Sequence, residues 1–107
     1  MTPTSLDIVA ELEQAERARQ AGNEGRARVC ARRAAGIAAR DFLSRQGIQL
    51  GSMSAYSALQ MLATFPSLAP NLRMAALHLT TRLTESFTLP VDADLIADAR
   101  KLIGGLE

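Results

Sequence analysis

Aromatic side chains are nearly missing from this chain of 107 residues: there is no tryptophan, and Phe42, Tyr56, Phe65 and Phe87 make up the whole aromatic 4%. Any core must be filled by Leu, Ile, Val, Met and many alanines, and alanine faces let helices approach one another closely. Cys30 is the only cysteine, which excludes an internal disulfide framework. It falls among apolar positions with no histidine or acid beside it, so it reads as a small buried hydrophobe rather than a nucleophile. One histidine and no CxxC pattern leave no zinc site, and of Asp92, Asp94 and Asp98 only Asp94 and Asp98 are helical neighbours while Asp92 is better used as a cap, which argues against a cation. No glycine-rich loop followed by lysine is present, which excludes P-loop chemistry, and no motif asks for a cofactor. The start of the chain lacks a basic region followed by an apolar stretch. No run approaches the roughly 20 apolar residues of a membrane span. A cytoplasmic protein without membrane contact is expected.

What is present favours helix. Apolar residues reach 48%, enough for one core in a single domain over residues 1–107. Ala, Leu, Arg, Gln and Glu are good helix formers, and the β-branched residues never alternate as a strand requires. A first helix is predicted from about Leu6 to Ala21, capped by Thr4 or Ser5 and ended by Gly22. The turn Asn23-Glu24-Gly25 leads into a second, long helix from about Gly25 to about Gln46. Ala27, Cys30 or Ala31, Ala34, Ile37 or Ala38, and Phe42 form its apolar stripe. Gly36 sits inside that helix, where glycine costs about 1 kcal/mol relative to alanine, and so suggests a close neighbour. Ser52 or Ser54 caps a shorter helix broken at Phe65-Pro66, and Pro70 suits the first turn of the next. The stretch from Glu85 to Pro90 is expected to be extended. Asp92 would cap a last helix whose end frays at Gly104-Gly105. The fold class is all-α, an up-down bundle of four main helices and a short fifth segment. A phrase near the first turn has a tetratricopeptide flavour, but no second copy follows, which excludes a repeat array.

Charge is balanced globally, at +1, but not locally. Residues 26–45 carry six arginines (Arg26, Arg28, Arg32, Arg33, Arg40 and Arg45) against Asp41 alone, while residues 85–98 carry Glu85, Asp92, Asp94 and Asp98 without a base. The basic helix has two uses. Arg26, Arg28, Arg32 and Arg33 can meet RNA or phosphate, or the helix can pair with the acidic segment or lie in solvent.

Arg73 and His78, on the fourth helix, form the one pairing with chemistry in it. Two stretches carry a resemblance. One is Gly22-Asn23-Glu24-Gly25-Arg26-Ala27-Arg28-Val29-Cys30-Ala31-Arg32-Arg33-Ala34-Ala35, an alanine-rich amphipathic helix after a glycine turn. The other is Arg73-Met74-Ala75-Ala76-Leu77-His78, followed by Asp92-Ala93-Asp94-Leu95 at the start of a terminal helix. Together they make the chain resemble the HEPN superfamily of small helical bundles over about three-quarters of its length. The resemblance implies a bundle that often dimerises. In the nuclease branches an arginine and a histidine from two subunits line a metal-independent RNA-cleaving cleft. Carried over, Arg73 would hold phosphate charge through its guanidinium fork and His78 would move a proton.

Two features depart from that pattern. Met74 follows the arginine where the family has a polar residue, and five helical positions turn through about 500°, leaving Arg73 and His78 about 140° apart. The leading expectation is therefore a non-catalytic bundle that acts by association, as a homodimer or with a protein partner. A nucleotide or RNA-binding domain and a metal-independent ribonuclease are the alternatives.

Overall fold

In the computed structural model, residues 6–81 and 94–106 are described. They form five helices: α1 Leu6–Gln20, α2 Glu24–Arg45, α3 Ala55–Ala63, α4 Pro70–Thr80 and α5 Leu95–Leu106. No strand occurs among the described residues, and the all-α bundle is as the sequence reads. The capping candidates Thr4 and Ser5, the stretch from Glu85 to Pro90, and Asp92 lie outside the described residues.

The helix ends follow from local chemistry. Gly22 takes a positive φ of 80°, and the Asn23 amide reaches back to the Ala18 carbonyl (2.7 Å), which closes α1. Asn23 then caps α2 by accepting from the Arg26 amide, so α2 begins at Glu24, one residue before the expected start. Ser54, not Ser52, caps α3 through the Ser57 amide. Pro70 opens α4 at its first turn, where a missing N–H leaves nothing unsatisfied. Asp94 receives the amides of Ile96 and Ala97 and so occupies the capping place that the sequence reading gave to Asp92. Nor does α5 fray at Gly104-Gly105, because Leu106 is buried and helical.

α2 is the hub. α1, α3 and α5 all pack on it, and α4 bridges α3 and α5. That three-sided packing widens the buried stripe of α2 beyond the expected line, to Ala27, Cys30, Ala31, Ala34, Ala35, Ala38, Ala39 and Leu43. Ile37 and Phe42 are only half-buried. Alanine dominates because the axes are close. A Cβ built at Gly36 would stand 3.1 Å from the Ala55 backbone Cα and hard against its Cβ, so glycine is what lets α3 start here. Cys30 lies within this core as a small apolar side chain. Phe42 and Phe65 meet edge to face at 5.5 Å, with Arg45 over the Phe42 ring.

Candidate functional site

α4 turns Leu72, Ala75, Ala76 and Leu79 inward. Helical spacing then puts Arg73, Met74 and Leu77 on the outer side and His78 at the seam with α5. There His78 Nδ1 lies 3.0 Å from Asp98 Oδ2, and an ionised carboxylate requires that Nδ1–H be the donor. Asp98 is only 7% exposed, an acid on the buried face of α5 that includes Leu95 and Leu102. A buried carboxylate needs a partner, and His78 supplies it. The pair fixes the ring and its tautomer, leaving Nε2 as the nitrogen for any further contact. Among the described residues no hydroxyl or thiol hydrogen-bonds to the ring.

Arg73 goes elsewhere. Its side chain lines a shallow groove of about 240 Å³ with Ala63, Pro70, Met74 and Leu77, and its buried Nε has no hydrogen-bond partner among the described residues. Met74 and Leu77 beside it are 51% and 50% exposed. Arg73 and His78 therefore face different neighbours, the groove at the α3–α4 edge and the α5 seam, as the angular offset requires.

The arginines of α2 divide into two groups. Arg32 reaches inward, its Nε donating to the Leu79 carbonyl (2.8 Å) and its Nη2 to the Thr81 carbonyl (2.9 Å), where α4 ends. Arg45 donates to the Leu106 carbonyl at the end of α5 (2.9 Å) and pairs with Asp41, while Arg40 donates to the Met53 carbonyl. Guanidinium groups at the carbonyl ends of α4 and α5 satisfy orphan acceptors and suit the helix dipoles. Arg26 and Arg33 are exposed and Arg28 is half-buried. Of the four candidate phosphate-binding arginines, then, Arg32 is engaged within the fold and the other three keep outward positions.

Among the described residues the expected pairing of the basic helix with the acidic segment does not occur; Asp94 of that segment pairs with α1 instead. Arg19 bridges Glu24 (2.7 Å) and Asp94 (3.0 Å), tying α1 to the starts of α2 and α5. The hydrogen bond from Arg19 lowers the Glu24 pKa against a smaller opposing effect of burial. At Asp94, burial pushes the carboxyl up, but the Ala97 amide and Arg19 outweigh it and the net shift is downward. Glu85 and Asp92 lie outside the described residues. Among the described residues no three His, Cys, Asp or Glu side chains gather as a metal site would require, and no helix is long and apolar enough to cross a membrane.

A second groove, of about 220 Å³, lies between α2 and α3 and is lined by Val29, Arg32, Arg33, Ala55, Tyr56 and Leu59. Sequence reasoning missed this groove and the Asp98 partner of His78. Asp98 had a signal: it stands three residues after Leu95 and four before Leu102, inside an apolar stripe, where an acid calls for a partner. The groove had none, because it depends on how α3 crosses α2. No family model, no curated protein and no solved structure matches the chain.

Proposed function

We propose that this chain is a non-catalytic, HEPN-like helical module that acts by protein association, forming a homodimer through the outer face of α4. The observation that carries this reading is the half-exposure of Met74 and Leu77 around the unpartnered Nε of Arg73. Large apolar anchors beside an arginine, with little other charge, are the composition of an interface centre. α4 has no acidic residue of its own, so a second copy packing on Met74 and Leu77 would meet no negative charge on this helix.

Sedimentation velocity across a concentration series tests this. The expected species has twice the 11.5 kDa chain mass, and Leu77→Asp dissociates it while leaving the helical signal intact. A wild-type protein that stays monomeric at every concentration would sink the dimer reading.

Metal-independent RNA cleavage is the second reading, supported by the His78–Asp98 hydrogen bond. An imidazole oriented by a carboxylate is equipped to transfer protons. Its test is a labelled RNA pool incubated in chelator: cleavage by the parent and none by His78→Ala supports a ribonuclease. Intact RNA with folded parent protein removes that reading.

A further inference from the structure

The α2–α3 groove joins two properties that seldom coincide. Its walls, from Val29, Ala55, Tyr56 and Leu59, are almost wholly apolar, yet two guanidinium groups stand at it. Val29 is 40% exposed, so apolar surface remains open to solvent there. Arg32 is pinned by its two bonds to backbone carbonyls, and no carboxylate pairs with it among the described residues. Burial, and next the charge of Arg28 one turn away, lowers the Arg32 pKa, with only Tyr56 acting in the opposite sense. Arg33, exposed at the rim, makes no hydrogen bond or ion pair among the described residues. Two arginines thus stand at an apolar groove, and neither is paired with a carboxylate among the described residues.

We propose that the α2–α3 groove binds a small organic anion with an apolar body, of the medium-chain carboxylate class. The hydrocarbon lies on Val29, Ala55 and Leu59, and the carboxylate meets the Arg33 guanidinium within the positive field of Arg28 and Arg32. Size and polarity select this class. At about 220 Å³ the groove is smaller than the roughly 300–1,000 Å³ that takes a drug-sized ligand. Its apolar walls favour a hydrocarbon over a bare phosphate, and a nucleic-acid backbone would need a track of basic groups rather than a greasy floor. A charge-assisted bond from Arg33 gives the head group its orientation.

The test is an amide-resolved NMR titration of the full chain with three probes: octanoate, 1-octanol and inorganic phosphate. Octanoate is expected to give saturable shifts centred on Val29, Arg33, Ala55, Tyr56 and Leu59. Octanol should bind about tenfold more weakly, in line with the loss of one charge-assisted hydrogen bond, and phosphate alone should leave these amides unmoved. Arg33→Gln should weaken octanoate by a similar factor, and Val29→Asp should abolish binding. Arg17→Gln, on the exposed side of α1, should change nothing. Equal binding of octanol, an equal response to phosphate, an unaffected Arg33→Gln, or no saturable shift at all would each overturn the proposal. Arg33 is exposed, so its variant remains decisive even if Val29→Asp disturbs the fold.

Discussion

Replacing Gly36 with alanine sets two well-understood effects against each other. In an exposed helix interior the change would stabilise the protein by about 1 kcal/mol, the propensity difference between the two residues. Here the new methyl would press on the Ala55 Cβ and stand 3.1 Å from the Ala55 Cα, well inside the roughly 3.5–4.0 Å at which carbon atoms attract. Ala55 is the first residue of α3, so its atoms move only if the helix moves. The seam must open by roughly an ångström, which takes Ala58 and Leu59 partly off α2 and forfeits their dispersion contacts. Overpacking of this kind costs about 1–3 kcal/mol beyond any local gain. A net loss of about 1–2 kcal/mol follows, or roughly 5–15 °C in Tm for a domain of this length.

Urea unfolding followed by far-UV circular dichroism measures the loss. The double variant Gly36→Ala/Ala55→Gly supplies the control, since it removes the methyl that the new one strikes. It should recover about 1 kcal/mol relative to the sum of the single changes, the coupling that neighbours in contact show. A Gly36→Ala protein about 1 kcal/mol more stable than the parent, or a double variant that is merely additive, would refute the close approach of α2 and α3.

Three further outcomes follow from the geometry. Truncating His78 to leucine leaves the buried Asp98 carboxylate unpaired and should cost about 1–3 kcal/mol, whereas His78→Leu/Asp98→Leu, which removes both polar groups, should lose less than the single change in the same urea assay. The two C-terminal glycines should respond oppositely: Gly104→Ala meets nothing within 4 Å and gains about 0.5 kcal/mol, while Gly105→Ala pushes a methyl to within 2.6 Å of the buried Leu72 side chain and loses about 1 kcal/mol, a contrast thermal melts resolve. Glu24 and Asp94 both have folded pKa values below their ordinary 4.5 and 3.8, so the stability they contribute is fully present above those values and is lost as pH falls through the lowered ones. Both side chains are well exposed, so Arg19→Met should cost about 1 kcal/mol or less at neutral pH, and its difference from the parent should shrink in acid melts as pH falls through the two lowered pKa values.

How far the sequence reached depended on whether a feature is local. Gly22, Asn23, Ser54 and Pro70 act within a few residues of themselves, and the helices they bound were legible to within a residue or two. Gly36 was legible too, because a glycine kept inside an otherwise alanine-rich helix implies a neighbour, although Ala55 as that neighbour was not. Asp94 in place of Asp92 shows the limit of capping logic, since acids two residues apart compete and only the actual helix start decides. The basic helix misled most. The row read as a solvated or intramolecularly paired face, with Arg32 also a phosphate candidate, yet Arg32, Arg40 and Arg45 each donate to a backbone carbonyl, an acceptor every residue has and no sequence pattern marks. Arg73 and His78 were separated correctly by helical angle alone, because a rigid 3.6-residue period fixes direction without knowledge of the partners.

The same alanine-rich composition that makes α2 a hub also decides where open surface remains. Small side chains let α1 and α5 pack closely on α2. α3 is the exception. With nine residues it is the shortest helix among the described residues, and its close approach to α2 is at one end, where Ala55 meets Gly36. The α2–α3 groove takes in that end through Ala55, and the Arg73 groove takes in the other through Ala63. Both grooves are therefore consequences of one short helix laid across a flat alanine surface, and the arginines beside them differ in what they hold. Arg32 is satisfied by the chain's own carbonyls, whereas Arg33 and the Nε of Arg73 are not. Exposed Val29 and Arg33 border the groove at one end of α3 and exposed Met74 and Leu77 the groove at the other, whereas the His78–Asp98 hydrogen bond is already made within the fold.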